Sequence, residues 1–145
     1  AAFDGTHTFH WYQNSPPPPR PVALSITFSY PQVALIGSAP TDAGVAPLPP
    51  PTGIADMSDQ GRSRVDANNQ GSISLWFHPS TLKLSYAEVI HPNAEHIAHL
   101  LAWAIQAQQT LPQLLAMPFF HPTIFEGLRT ALRNAADHLS VPYLR

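Results

Sequence analysis

The apolar residues of this 145-residue chain change their spacing near residue 92, and this change constrains the fold more than any other feature. Before it, apolar residues alternate with small or polar ones, as in 22–28 and 72–77, which is typical of β-strands with one buried face. After it, they recur every three or four positions, which is typical of amphipathic helices. Strands followed by helices predict an α+β fold in which helices pack on an antiparallel β-sheet.

The strand patterns predict a sheet built from the first two-thirds of the chain. The predicted strands are 22–28, 33–36, 72–77 and 82–90, with 53–56 and 61–65 as shorter edge strands. His78–Thr81 is a turn signal that joins two of the strands as a hairpin. Residues 41–52 are rich in proline, glycine and alanine and predict an irregular loop.

Three helices are predicted after this sheet. Asn93 can cap a helix from Ala94 to about residue 108. Thr110 and Thr123 each begin a capping box, in which a Thr and a Gln or Glu three residues later bond each other's backbone N–H groups. These boxes predict a short helix that ends at residue 116 and a longer one that ends near residue 138.

Composition excludes several functions. The chain has no cysteine, which excludes a disulfide scaffold, Cys-ligated zinc and cysteine catalysis within it. A net charge of −2 with seven Lys and Arg gives no basic surface for nucleic acid. No apolar run reaches the roughly 18 residues that span a membrane. We therefore expect neither nucleic acid nor a membrane as partner, and the absence of cysteine is consistent with a cytoplasmic protein.

Proline and charge content divide the chain further. Four consecutive prolines at 16–19 predict an extended connector, so residues 1–21 form an N-terminal segment and residues 22–145 one domain. Charged residues make up 11 %, against about 25 % in an ordinary domain. Either another chain covers part of the surface, or a proline-rich surface needs fewer charges.

Histidine is the main reactive side chain, with eight copies. His91, Glu95, His96 and His99 could offer metal ligands, because Glu95 and His99 share one helix face. Their spacing matches no metalloprotease signature, and a polar or interface face is the alternative.

A second candidate is the pair His121 and Glu126. A carboxylate in the first turn of a helix can accept from one imidazole nitrogen and leave the other free to take a proton. The alternative is structural, because Glu126 also stands at the third position of the predicted capping box of Thr123.

Several motifs, in their order along the chain, resemble the C-terminal dimerisation domain of FAD-dependent pyridine nucleotide–disulfide oxidoreductases. They are the segments 28–37, 61–65, 70–75, 90–95, 101–105, 110–111 and the His-Pro-Thr-x-x-Glu stretch 121–126. The resemblance covers roughly residues 22–136. Within the family, residues 94–100 and 117–122 are most similar to dihydrolipoamide dehydrogenase-related proteins.

The resemblance implies a homodimer in which His121 of one subunit faces the flavin and redox disulfide of the other. His121 would be the acid–base catalyst for a substrate dithiol, and Glu126 would orient it. The chain has neither a G-x-G-x-x-G fingerprint nor a cysteine pair. We therefore expect it to be an inactive fragment that binds no cofactor, whose parent oxidoreductase carries FAD and NAD(P) in preceding domains.

The resemblance leaves two alternatives and some departures. The domain could be a non-catalytic homodimerisation module of the same fold, or a histidine-rich metal-binding domain. Ser29-Tyr30-Pro31 stands where the family usually has Thr-Asp-Pro, and Tyr86 replaces a common glycine. These departures suggest a divergent member, and the substrate of the parent stays open.

Overall fold

Five antiparallel strands form one sheet in the computed structural model, which describes residues 20–40 and 47–143. Their spatial order is β1–β2–β5–β4–β3. The strands are β1 Leu24–Thr27, β2 Gln32–Gly37, β3 Gly53–Asp56, β4 Ser72–Phe77 and β5 Leu84–His91. The central strand β5 pairs with β2 on one side and β4 on the other.

The described residues contain four helices, one between β3 and β4 and three after β5. They are α1 Gly61–Val65, α2 Ala94–Gln106, α3 Leu111–Leu115 and α4 Phe125–Leu139. Helix α2 packs against β2 and β5, and α4 packs against β3 and β4. No helix in the described ranges is both long and apolar enough to cross a lipid bilayer.

The core lies between the sheet and the two long helices. Ala34 and Ile36 are fully buried on β2, whereas Leu35 between them is 43 % exposed, so alternate residues point to opposite faces. Ile97 and Leu101 of α2 are fully buried as well. The predicted α+β class, with an antiparallel sheet that carries helices, is therefore confirmed.

Two local predictions are wrong. Residues 61–65 form helix α1 instead of an edge strand, because the Gln60 side chain accepts the Ser63 N–H and caps a helical turn. Helix α4 has Ile124 at its cap position, because the Thr123 hydroxyl donates to the Phe120 carbonyl and does not cap the helix. The predicted connector at 16–19 and the first part of the loop 41–52 lie outside the described residues.

Candidate active site

His121 and Glu126 are in contact at the start of α4. The His121 Nδ1 atom lies 3.0 Å from Glu126 Oε2 and 3.1 Å from Oε1. An ionised carboxylate can only accept hydrogen bonds, so Nδ1 carries a proton in this contact. The neutral ring then has an unprotonated Nε2, which is the atom that can take up a proton.

The two partners differ in exposure. The His121 side chain is 80 % exposed, whereas that of Glu126 is 27 % exposed. Glu126 Oε2 also accepts the Thr123 backbone N–H at 3.3 Å. The carboxylate is therefore held from two directions, while the imidazole projects from the surface.

The carboxylate of Glu126 stays ionised at neutral pH. Its burial raises the pKa, but the hydrogen bonds from His121 and the Thr123 N–H outweigh that effect, and the pKa lies below the ordinary value. An ionised acceptor keeps the proton of His121 on Nδ1 and orients the ring.

His121 lies on an open part of the surface, next in sequence to an exposed aromatic residue. Phe120 is 81 % exposed and Met117 is 47 % exposed. A cleft of about 220 Å³ lies beside Pro122 and Thr123, but His121 is not among its lining residues. The described part of the chain therefore presents the imidazole on a surface rather than inside a pocket of its own.

A buried group of polar residues lies behind the pair, and sequence reasoning missed most of it. Gln60 Nε2 donates to the Thr123 carbonyl at 2.9 Å, and Ser63 contacts Gln60 on one side and His91 on the other. The one available signal was the run of polar residues between 58 and 64, which a buried strand would not carry.

The structure does not bring the four proposed metal ligands together. Both His91 nitrogens are occupied, Nε2 by Ser63 and Nδ1 by the Asn93 N–H. His99 Nδ1 lies 2.8 Å from the backbone carbonyl of Glu95. Within residues 20–40 and 47–143, no three His, Asp or Glu side chains gather as a metal site would require, so the histidine-rich metal hypothesis is not supported.

Acid is expected to destabilise the fold through His91. Burial lowers the pKa of His91 from 6.5, although the Asn68 carbonyl opposes the shift. As pH falls through about 6.5, the unfolded chain binds a proton that the folded chain does not, so stability present above that pH is lost below it. Between about pH 7 and pH 5, urea denaturation should show a larger loss of stability in the wild type than in His91→Gln. Equal losses in both proteins would contradict a neutral His91.

One family model and several curated proteins match the sequence. The model for "Pyridine nucleotide-disulphide oxidoreductase, dimerisation domain" matches residues 24–132. Dihydrolipoyl dehydrogenase of Chlamydia muridarum is 26 % identical over 113 residues, which are 78 % of this chain and 24 % of that protein. Soluble pyridine nucleotide transhydrogenase of Serratia proteamaculans is 24 % identical over 116 residues, 77 % of this chain and 25 % of that protein. The chain thus spans about a quarter of the length of these relatives.

Solved structures share the fold. LpdA from Mycobacterium tuberculosis superposes with a TM-score of 0.70 and 18 % identity over 88 % of this chain and 28 % of its own. The HOCl-induced flavoprotein disulfide reductase RclA from Escherichia coli has a TM-score of 0.65 and 16 % identity over 79 % of this chain and 26 % of its own. In both cases, the shared fold is one part of a much longer chain.

Proposed function

Because the chain belongs to the family of pyridine nucleotide–disulphide oxidoreductase dimerisation domains, we propose that it forms a homodimer and supplies His121 and Glu126 to an active site completed by the partner subunit. The parent protein would be a disulfide oxidoreductase similar to dihydrolipoamide dehydrogenase, in the cytoplasm. The observation that carries the proposal is the contact between an exposed imidazole and a partly buried, ionised carboxylate at the start of α4.

The pair is suited to moving the proton of a thiol. With Nδ1–H donating to Glu126, the free Nε2 of His121 can accept the S–H proton of a substrate dithiol. The thiolate left behind is the nucleophile that thiol–disulfide exchange requires. In the reverse direction, the protonated ring returns the proton to the leaving thiolate, so the proton is balanced.

FAD and NAD(P) do not fit this chain itself. It contains no glycine-rich dinucleotide fingerprint and no cysteine pair, so other segments of the parent would hold these groups. When bound there, FAD would supply the two-electron chemistry. The part assigned to this domain is to hold the base and to present it to the neighbouring subunit.

The surface around the pair supports a site completed by a second copy. His121 lies beside the exposed Phe120, and Trp103, Phe28 and Tyr30 are more than 70 % exposed elsewhere on the domain. If a second copy of the chain buries these side chains, their exposure in the single domain is explained. The low charge content of the chain agrees with this interpretation.

A non-catalytic dimerisation module is the second candidate. The Glu126 carboxylate accepts the Thr123 N–H, which is the reciprocal half of a capping box and gives Glu126 a role in stabilising the start of the helix. In that case, removing His121 would leave the chemistry of the parent unchanged.

Mixed dimers of two inactive variants test the proposal. One subunit of the full-length protein would carry His121→Ala, and the other would have its redox cysteines replaced by serine. If His121 acts across the interface, a hybrid dimer keeps one complete site, and a random mixture recovers about a quarter of the wild-type dithiol-dependent NAD⁺ reduction.

The same mixture separates the alternatives. If His121 acted within its own subunit, neither site of the hybrid would be complete and activity would stay at the level of the single variants. That outcome would contradict the proposed transfer of the base between subunits. A full-length protein without any cysteine pair would contradict the disulfide chemistry itself.

A further inference from the structure

A continuous line of hydrogen bonds runs from the end of β5 to the start of α4. His91 Nε2 lies 3.0 Å from Ser63 Oγ, and Ser63 Oγ lies 2.8 Å from Gln60 Oε1. Gln60 Nε2 in turn lies 2.9 Å from the carbonyl oxygen of Thr123. These bonds join three segments that are far apart in sequence, namely 60–63, the end of β5 and the residue Thr123 next to the His121–Glu126 pair.

The chemistry of the groups fixes the direction of each bond. The Asn93 N–H donates to His91 Nδ1 at 3.0 Å, so the proton of the neutral ring is on Nε2 and is donated to Ser63. The single hydroxyl proton of Ser63 is then free for Gln60 Oε1. The amide group of Gln60 therefore points its N–H₂ toward Thr123, whose carbonyl can only accept.

Burial restricts the movement of the side chains that form these hydrogen bonds. His91 and Ser63 are fully buried, and Gln60 is partly buried. Breaking the link between His91 and Ser63 leaves a fully buried polar atom without a partner, which is unfavourable. Gly127 in the first turn of α4 adds a close contact, because a Cβ there would lie 3.5 Å from Gln60 Cγ and 2.5 Å from Met57 Sδ.

Thr123 connects this line to the catalytic pair. Gln60 binds its carbonyl oxygen, and Glu126 accepts its N–H. Thr123 therefore both accepts the last hydrogen bond of the line and orients the Glu126 carboxylate. It lies two positions after His121.

We propose that Gln60, Ser63 and His91 are positioning residues, which hold Thr123 so that Glu126 and His121 keep their contact. The inference rests on the proposed function for its catalytic meaning, but its structural content concerns this chain alone. None of the three residues touches a reacting atom; they act through Thr123.

The test compares Gln60→Met with Asn69→Leu. Methionine has the length of glutamine without its amide, so it removes the bond to Thr123 and the two bonds that Gln60 Oε1 accepts from Ser63, while adding no charge. Asn69→Leu is the matched control, because Asn69 Nδ2 also donates to a backbone carbonyl, that of Ser58 at 2.8 Å, away from the pair. NMR titration of the Glu126 side-chain carboxyl in the 145-residue chain measures the effect.

We expect the pKa of Glu126 to rise by roughly half a unit to one unit in Gln60→Met, because the Thr123 N–H no longer stabilises its charged form. It should not move in Asn69→Leu. An unchanged pKa in Gln60→Met, in a protein that is still folded, would overturn the inference. If Gln60→Met does not fold, Ser63→Ala keeps the backbone contact of Ser63 with Gln60 and should raise the same pKa by a smaller amount.

Turnover distinguishes this inference from the proposed function. In the full-length protein, Gln60→Met should lower kcat by about tenfold with little change in KM, since a misplaced base slows the chemical step. A shifted Glu126 pKa with unchanged kcat would leave the positioning role standing and count against a catalytic use of the pair. An unchanged pKa together with a large effect of His121→Ala would support the proposed function and reject the positioning line.

Discussion

If His121 is the acid–base group proposed above, replacing it with alanine in the parent protein is expected to lower dithiol turnover by about 10² or more, which is the usual contribution of such a group. The cause is the loss of Nε2, the one nitrogen of the ring that Glu126 leaves free for a substrate proton. Because the side chain is 80 % exposed, its removal should leave the fold and the flavin content of the parent unchanged. Steady-state rates of dithiol-dependent NAD⁺ reduction, together with the flavin absorbance, measure both.

His96→Ala is the matched control for this experiment. His96 is also an exposed histidine beside a glutamate, with its Nε2 3.8 Å from Glu95 Oε1. That distance is too long for a hydrogen bond, so no tautomer is fixed there. Turnover should therefore stay near the wild-type level. Equal activity in His121→Ala and His96→Ala would contradict a catalytic role for His121, which would then have only a structural place at the start of α4.

The period of the apolar residues was sufficient to predict the architecture. Alternation in 72–77 puts Ile73 and Leu75 on the same face of a strand, and both are fully buried. The contact between His121 and Glu126 could also be anticipated, because five positions at a helix start allow the side chains to meet. These features depend on local spacing, which a sequence displays directly.

The buried line behind the pair could not be predicted in this way. Residues 61–65 carry a weak strand-like pattern, yet the Gln60 side chain turns them into helix α1. The spacing of the histidines makes His91 a candidate metal ligand, although its partners in the structure are Ser63 and the Asn93 N–H. Both outcomes depend on contacts between segments far apart in sequence, and a single sequence does not record which distant polar groups will meet.

The close approach of α4 to the sheet leads to the second large expected effect. Gly53 of β3 faces α4, and a Cβ there would collide with the Ala131 carbonyl and lie 2.6 Å from Ala135 Cβ. These are backbone and helix-core atoms that cannot rotate away, so Gly53→Ala must push α4 from β3 and strain the bond from the Ile54 N–H to Asn134 Oδ1. We expect the free energy of unfolding to fall by about 3 kcal/mol, measured by urea denaturation.

Gly61→Ala provides the opposite case within the same chain. Gly61 begins α1, and nothing lies within 4 Å of a Cβ built there. Alanine in that position only reduces the freedom of the unfolded chain, so stability should rise by about 0.5 kcal/mol or stay unchanged. The difference between the two variants isolates the steric contact at Gly53 from the general preference for alanine. If Gly53→Ala were as stable as Gly61→Ala, α4 could not lie as close to β3 as the structure places it.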